Sequence, residues 1–218
     1  SYAHERIGDT QLALGQMADA LTSYSAASDS ARGLVPQLAL RQRVAQVYLN
    51  AGQPAQAITQ YDAIIASSQN AAYRAGIELL AARAVLQAGD TENGLARMEA
   101  VLTTYPDLPE AYLAMQALTE NGRGVNSLAR GRISFTYGDY ADAIEAFNSY
   151  TVQNPGNIPA ELYLLLGRAY REIGSTAAAL TAFQTIVESY PTDESFGQAL
   201  LEQGRTRRLG GCLLYTSP

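Results

Sequence analysis

From Ala160 to Asp193 the apolar and small residues fall at helical spacing. Tyr163, Leu166, Gly167 and Tyr170 follow at intervals of three, one and three, which lays them along one helical face. Gly174 ends that helix. Ala179, Phe183 and Ile186, at intervals of four and three, mark a second helix, and Pro191 stands where it can no longer continue. The stretch reads as one helix-turn-helix of 34 residues.

The pattern recurs along the chain. Repeat one, Ser1 to about Leu34, carries Ile7, Gly8, the turn residue Gly15, and then Ala20, Tyr24 and Ala27; His4 and Gln11 are its weak matches. The lone histidine reads as a packing residue, since no second ligand accompanies it. Repeat two, Leu38 to about Ala71, carries Val44, Ala45, Tyr48, Gly52, Ala57, Tyr61 and Ile64, with Pro54 suited to the first turn of its second helix. Repeat three, Ala75 to about Leu108, carries Ala81, Ala82, Val85, Gly89, Gly94, Met98, Val101 and Pro106. The turn glycines 15, 52 and 89 are 37 residues apart, as in units that stack to bury their apolar faces. From Gly89 to Gly138 the interval lengthens to 49. The surplus, Pro109 to Glu120, predicts one extra helix, followed by a flexible joint at Gly122, Arg123 and Gly124. Repeat four, Gly124 to Asn157, carries Gly131, Gly138, Ala143, Phe147, Tyr150 and Pro155. Its first helix is polar at Ser127, Arg130 and Ser134, which fits a joint. A sixth unit begins near Gly197, with Gly204 and Gly211 in step. The organisation is therefore repeats one to three over 1–108, an inserted helix and hinge over 109–123, and repeats four, five and half of a sixth over 124–211.

Large residues at positions 4, 7, 11 and 24 of the unit, small ones at 8 and 20, and proline at 32 resemble the tetratricopeptide repeat. That resemblance implies an all-α, right-handed superhelical solenoid of helical hairpins, with the extra helix near 109–120. It also implies a scaffold that binds a protein or peptide through its concave face. A second resemblance is narrower. The alanine-rich repeats, with AELYLLLGRAYREIG, ESYPTD and ALLEQGRTR, are similar to the N-terminal superhelical region of bacterial soluble lytic transglycosylases. This implies an accessory region that holds peptidoglycan or positions a catalytic domain. In that family the catalytic Glu stands in a Glu-Ser context followed by Gly-Leu-Met-Gln, within a separate C-terminal domain. Glu194 and Ser195 imitate the first part, and no Gly-Leu-Met-Gln follows. The last seven residues, CLLYTSP at 212–218, are unlike any repeat and resemble one reading frame of a transposase adapter used in sequencing libraries.

Composition narrows the function classes. The chain has 218 residues, 47% of them hydrophobic and 17% charged, enough apolar content for a core. Its net charge is −6 and its basic residues are all arginine, which suggests a GC-rich bacterial genome. No basic stripe is concentrated enough for nucleic acid to be the main partner. No apolar run approaches the roughly 18 residues that span a bilayer. The chain opens inside a repeat, so both a bacterial cytoplasmic and an exported, periplasmic location stay open. Cys212 lies in the adapter-like tail, so no redox argument rests on it. The sequence lacks a phosphate loop, a dinucleotide fingerprint, a pair of metal-spaced histidines and a nucleophile elbow. No catalytic residue, cofactor or metal is therefore assigned.

One register position does carry a signal. Position 9 is one residue past the small packing residue, about 100° around the helix, and so leaves the seam. By resemblance it lines the concave groove. It holds Asp9 and Gln46 in the first two repeats, then Arg83, Arg132, Arg168 and Arg205. Helical spacing offers Glu172 as a partner for Arg168 and Glu202 for Arg205, whereas Arg83 and Arg132 have no acid at such spacing. Arg132, Arg168 and Arg205 are expected to form a basic ladder for carboxylates of an acidic peptide or of peptidoglycan stems, with Arg83 acting separately.

Overall fold

A computed structural model describes residues 2–28 and 33–209. Among them it contains twelve helices and no strand. Gly211 and the adapter-like segment 212–218 lie outside the described residues.

Two compact units divide the chain, one covering Ser1–Arg123 and the other Gly124–Pro218. In the first, α1 (Tyr2–Ala13) pairs with α2 (Met17–Ser28), α3 (Leu34–Asn50) with α4 (Pro54–Ser67), and α5 (Ala71–Gln87) with α6 (Thr91–Thr104). The helix α7 (Pro109–Glu120) packs on α6 and α5. In the second, α8 (Ser127–Tyr137) pairs with α9 (Tyr140–Gln153) and α10 (Ala160–Glu172) with α11 (Thr176–Ser189). The last helix, α12 (Ser195–Leu209), packs on both α11 and α10.

The hairpin turns follow from backbone chemistry. Gly15, Gly52, Gly89, Gly138 and Gly174 all have φ between 69° and 94°, which glycine adopts without a side-chain clash. Each turn then hands the chain to a new helix. Asp90 accepts from the Asn93 N–H at 3.2 Å and Asp139 from the Asp142 N–H at 3.2 Å, while Pro54 and Pro109 open α4 and α7.

Packing within each hairpin repeats one contact. Position 24 is Tyr24, Tyr61, Met98, Phe147 or Phe183, and every one of these is at most 1% exposed. Sixteen residues earlier stands a small residue: Gly8, Ala45, Ala82, Gly131 or Gly167. A Cβ added to Gly131 would lie 2.5 Å from Phe147 Cδ1, so the glycine is a socket shaped for the ring.

Candidate functional site

In the second unit, Arg132, Arg168 and Arg205 occupy the same register position on α8, α10 and α12, where α10 packs against both of the others. Their side chains are 46%, 30% and 63% exposed. Arg83 belongs to the first unit, on α5. It is exposed and has no hydrogen-bond or ion-pair partner among the described residues.

The arginines of the second unit do have partners, and most of these come from the next repeat. Arg132 Nη2 reaches Glu161 Oε2 on α10 at 2.5 Å. Arg168 donates from Nε to Glu202 Oε1 on α12 at 3.1 Å, which corrects the expected pairing with Glu172. Glu172 pairs instead with Arg171, at 3.4 Å. Arg205 reaches Glu202 Oε1 at 3.2 Å, at the expected spacing of three. Arg171 also bonds Glu202, so three guanidinium groups converge on one carboxylate whose side chain is only 4% exposed. Burial alone would push the Glu202 carboxyl up, but the hydrogen bond and charge of Arg171, with the help of Arg168, outweigh it and hold it below the usual range.

The first unit uses the same link with reversed charge. Asp9, at position 9 of α1, accepts from Arg43 Nη1 on α3 at 2.7 Å; Arg43 stands at position 6, as Glu202 does. Tyr24 donates its hydroxyl to the same carboxylate at 2.8 Å, and burial with this bond pushes its hydroxyl up to about 12. Among the described residues Gln46 bonds within its own helix, to Asn50 at 3.0 Å. At Asp9, Arg132 and Arg168, position 9 thus connects successive repeats.

Polar residues of α8 are also paired. Arg130 bonds Asp142 of α9, and Ser134 donates to Asp142 Oδ2 at 2.5 Å. Burial would raise the Asp142 carboxyl, yet the bonds from Arg130 and Ser134 bring it lower than usual. Arg123, read from sequence as part of a flexible joint, bonds Glu99 at 2.7 Å and Glu92 at 3.0 Å on α6, so it is tied to the first unit. Glu194 is exposed, and the Ser195 N–H bonds Asp193 Oδ1 at 2.8 Å, the geometry of a helix start. No group of three or more potential metal ligands occurs among the described residues, and none of their helices is long and apolar enough to cross a membrane.

Residues 128–194, spanning α8 to α11, match the tetratricopeptide repeat family. No curated protein matches the chain. Among solved structures, it is similar to the TPR2AB domain of yeast Sti1 in complex with pHSP90, at 14% identity and a TM-score of 0.42, covering 95% of this chain and 83% of that one. It is also similar to a tetratricopeptide repeat protein from Parabacteroides merdae, at 18% identity and a TM-score of 0.40, covering 96% of this chain and 86% of that one. The P58(IPK) TPR domain gives 22% identity and a TM-score of 0.41, with 97% and 56% covered. The family match, with the all-helical hairpin fold, supports a tetratricopeptide-repeat solenoid.

Proposed function

We propose that this chain is a non-catalytic scaffold that holds an acidic segment of a protein partner against the first-helix face of its second unit. The observation that carries this reading is the row of Arg132, Arg168 and Arg205 on three successive first helices, each partly exposed. Their roles differ by their partners. Arg168 is committed to the buried Glu202, so it fixes the stacking of α10 on α12. Arg132 pairs with the 51% exposed Glu161, an exchange-ready pair because exposed ion pairs are worth only about 0–1 kcal/mol. Arg205 shares a carboxylate already held by two other arginines and keeps donors free for a ligand. Arg132 and Arg205 are therefore the gripping residues.

Neither the family match nor the solved structures named above point to a cell-wall enzyme. The scaffold reading stands without peptidoglycan. The test uses a labelled oligoglutamate peptide and the full chain at low salt. Arg132→Gln with Arg205→Gln should weaken binding and flatten its salt dependence, while Arg83→Gln should leave both unchanged. Equal binding with an equal salt slope would reduce the row to repeat-to-repeat connectors.

A further inference from the structure

In the first unit, α4, α5 and α6 are joined by an ion triad, and the same place one repeat earlier has lost both carboxylates. Arg97 of α6 reaches Asp62 Oδ1 on α4 at 2.6 Å and Glu78 Oε2 on α5 at 3.2 Å. Thirty-seven residues earlier, the three register positions hold Ser25 on α2, Arg41 on α3 and Gln60 on α4. The link inside the hairpin is kept, since Arg41 Nη1 donates to Gln60 Oε1 at 3.0 Å. The charge balance is not. The cation now stands on the first helix, its partner is a neutral amide, and no ion pair to a described residue neutralises it.

The exchange also leaves room. Ser25 and Gln60 are shorter than Asp62 and Arg97, and Ser28 stands where the next repeat has Ile65. A cavity of about 190 Å³ lies there between α2, α3 and α4, with Ser25, Ser28, Arg41 and Gln60 on its polar side and Leu40 and Val44 on its apolar side. No acid lines it. The hydroxyls of Ser25 and Ser28 make no hydrogen bond to a described residue, and Gln60 spends its carbonyl on Arg41, which leaves its amide N–H groups to donate. The polar side therefore offers donors and a positive charge, and what it lacks is an anion.

We propose that this cavity binds a small carboxylate with a short apolar body. Its carboxylate pairs with Arg41 and takes the part that Asp62 plays beside Arg97 one repeat later, with the Ser25 hydroxyl as a further donor. The apolar body lies against Leu40 and Val44, in the manner of pockets that fix a ligand by a few polar groups on an apolar wall. The site belongs to the first unit and the proposed acidic-segment face to the second, so each reading can fail without the other.

Benzoate is the probe, and nitrogen-15 chemical shifts of the full chain are the readout. Benzoate should move the Ser25, Arg41 and Gln60 resonances and saturate with a Kd below about 10 mM, while benzamide, which keeps the ring and loses the charge, should bind at least about tenfold more weakly. Arg41→Gln should weaken benzoate by a similar factor. Ser25→Asp supplies the carboxylate from within, as Asp62 does in the next repeat, so it should block benzoate while leaving the melting temperature unchanged or higher. That pairing of results separates a filled site from a damaged fold. No saturation by about 10 mM benzoate, equal binding of benzamide, or binding indifferent to both Arg41→Gln and Ser25→Asp would overturn the proposal.

Discussion

Gly167 and Phe183 stand sixteen residues apart and touch so closely that a Cβ on the glycine would lie 2.8 Å from both Cδ1 and Cζ of the ring. The contact ties α10 to α11, and Phe183 is fully buried in it. Gly167→Leu must therefore displace the ring or part the helices, at an expected cost of about 1–3 kcal/mol. The same substitution at Gly204, where no described residue lies within 4 Å, should cost little. Urea midpoints of the two variants check the contrast. Equal midpoints would show that the glycine is not a socket.

Glu202 supplies the second prediction. Its folded carboxyl lies below its ordinary value, so its stabilisation is complete above the unfolded range, near ~4.3, and disappears as pH falls through the lower folded value. Glu202→Gln should cost about 1–3 kcal/mol at neutral pH by removing charged hydrogen bonds from three arginines. The variant should also lose part of the acid dependence of stability. An unchanged slope of unfolding free energy against pH, followed from neutral into acid, would contradict this role. Asp142, shifted in the same direction, keeps the remainder of the slope.

Tyr24 gives the third. Its hydroxyl is pushed up to about 12 by burial first and by the bond to Asp9 second. A raised folded value keeps its stabilisation intact below the unfolded value near ~10 and removes it as pH climbs toward the folded one. Asp9→Asn should lower the Tyr24 value, and burial should keep it above that of free tyrosine. The carbon-13 shift of Tyr24 Cζ, followed against pH, reads both directly.

The hairpins were legible in the sequence because their signals are local. Turn glycines, small residues at position 8 and rings at position 24 lie within one unit, so spacing alone displays them. What spacing hides is the link from one repeat to the next. Arg168 has an acid four residues away in Glu172, yet it turns to Glu202, 34 residues on, because stacking brings that carboxylate within hydrogen-bond reach while Glu172 pairs with Arg171. The polar face of α8 reads as a joint from sequence, whereas Arg130 and Ser134 are held by Asp142 across the hairpin. Part of the link can be read in the sequence itself. At Asp9 and Arg43 and at Arg168 and Glu202, position 9 meets position 6 of the following unit with opposite charge, whereas Arg132 reaches Glu161 at position 2.

The central claim is that a partner lies along the first helices of the second unit, gripped by Arg132 and Arg205. Hydrogen exchange of the full chain, with and without saturating oligoglutamate peptide, tests this most directly. The account predicts added protection on α8, α10 and α12, lost when Arg132 and Arg205 are both replaced by Gln. Protection confined to α9 and α11, or persisting in that double variant, would contradict it.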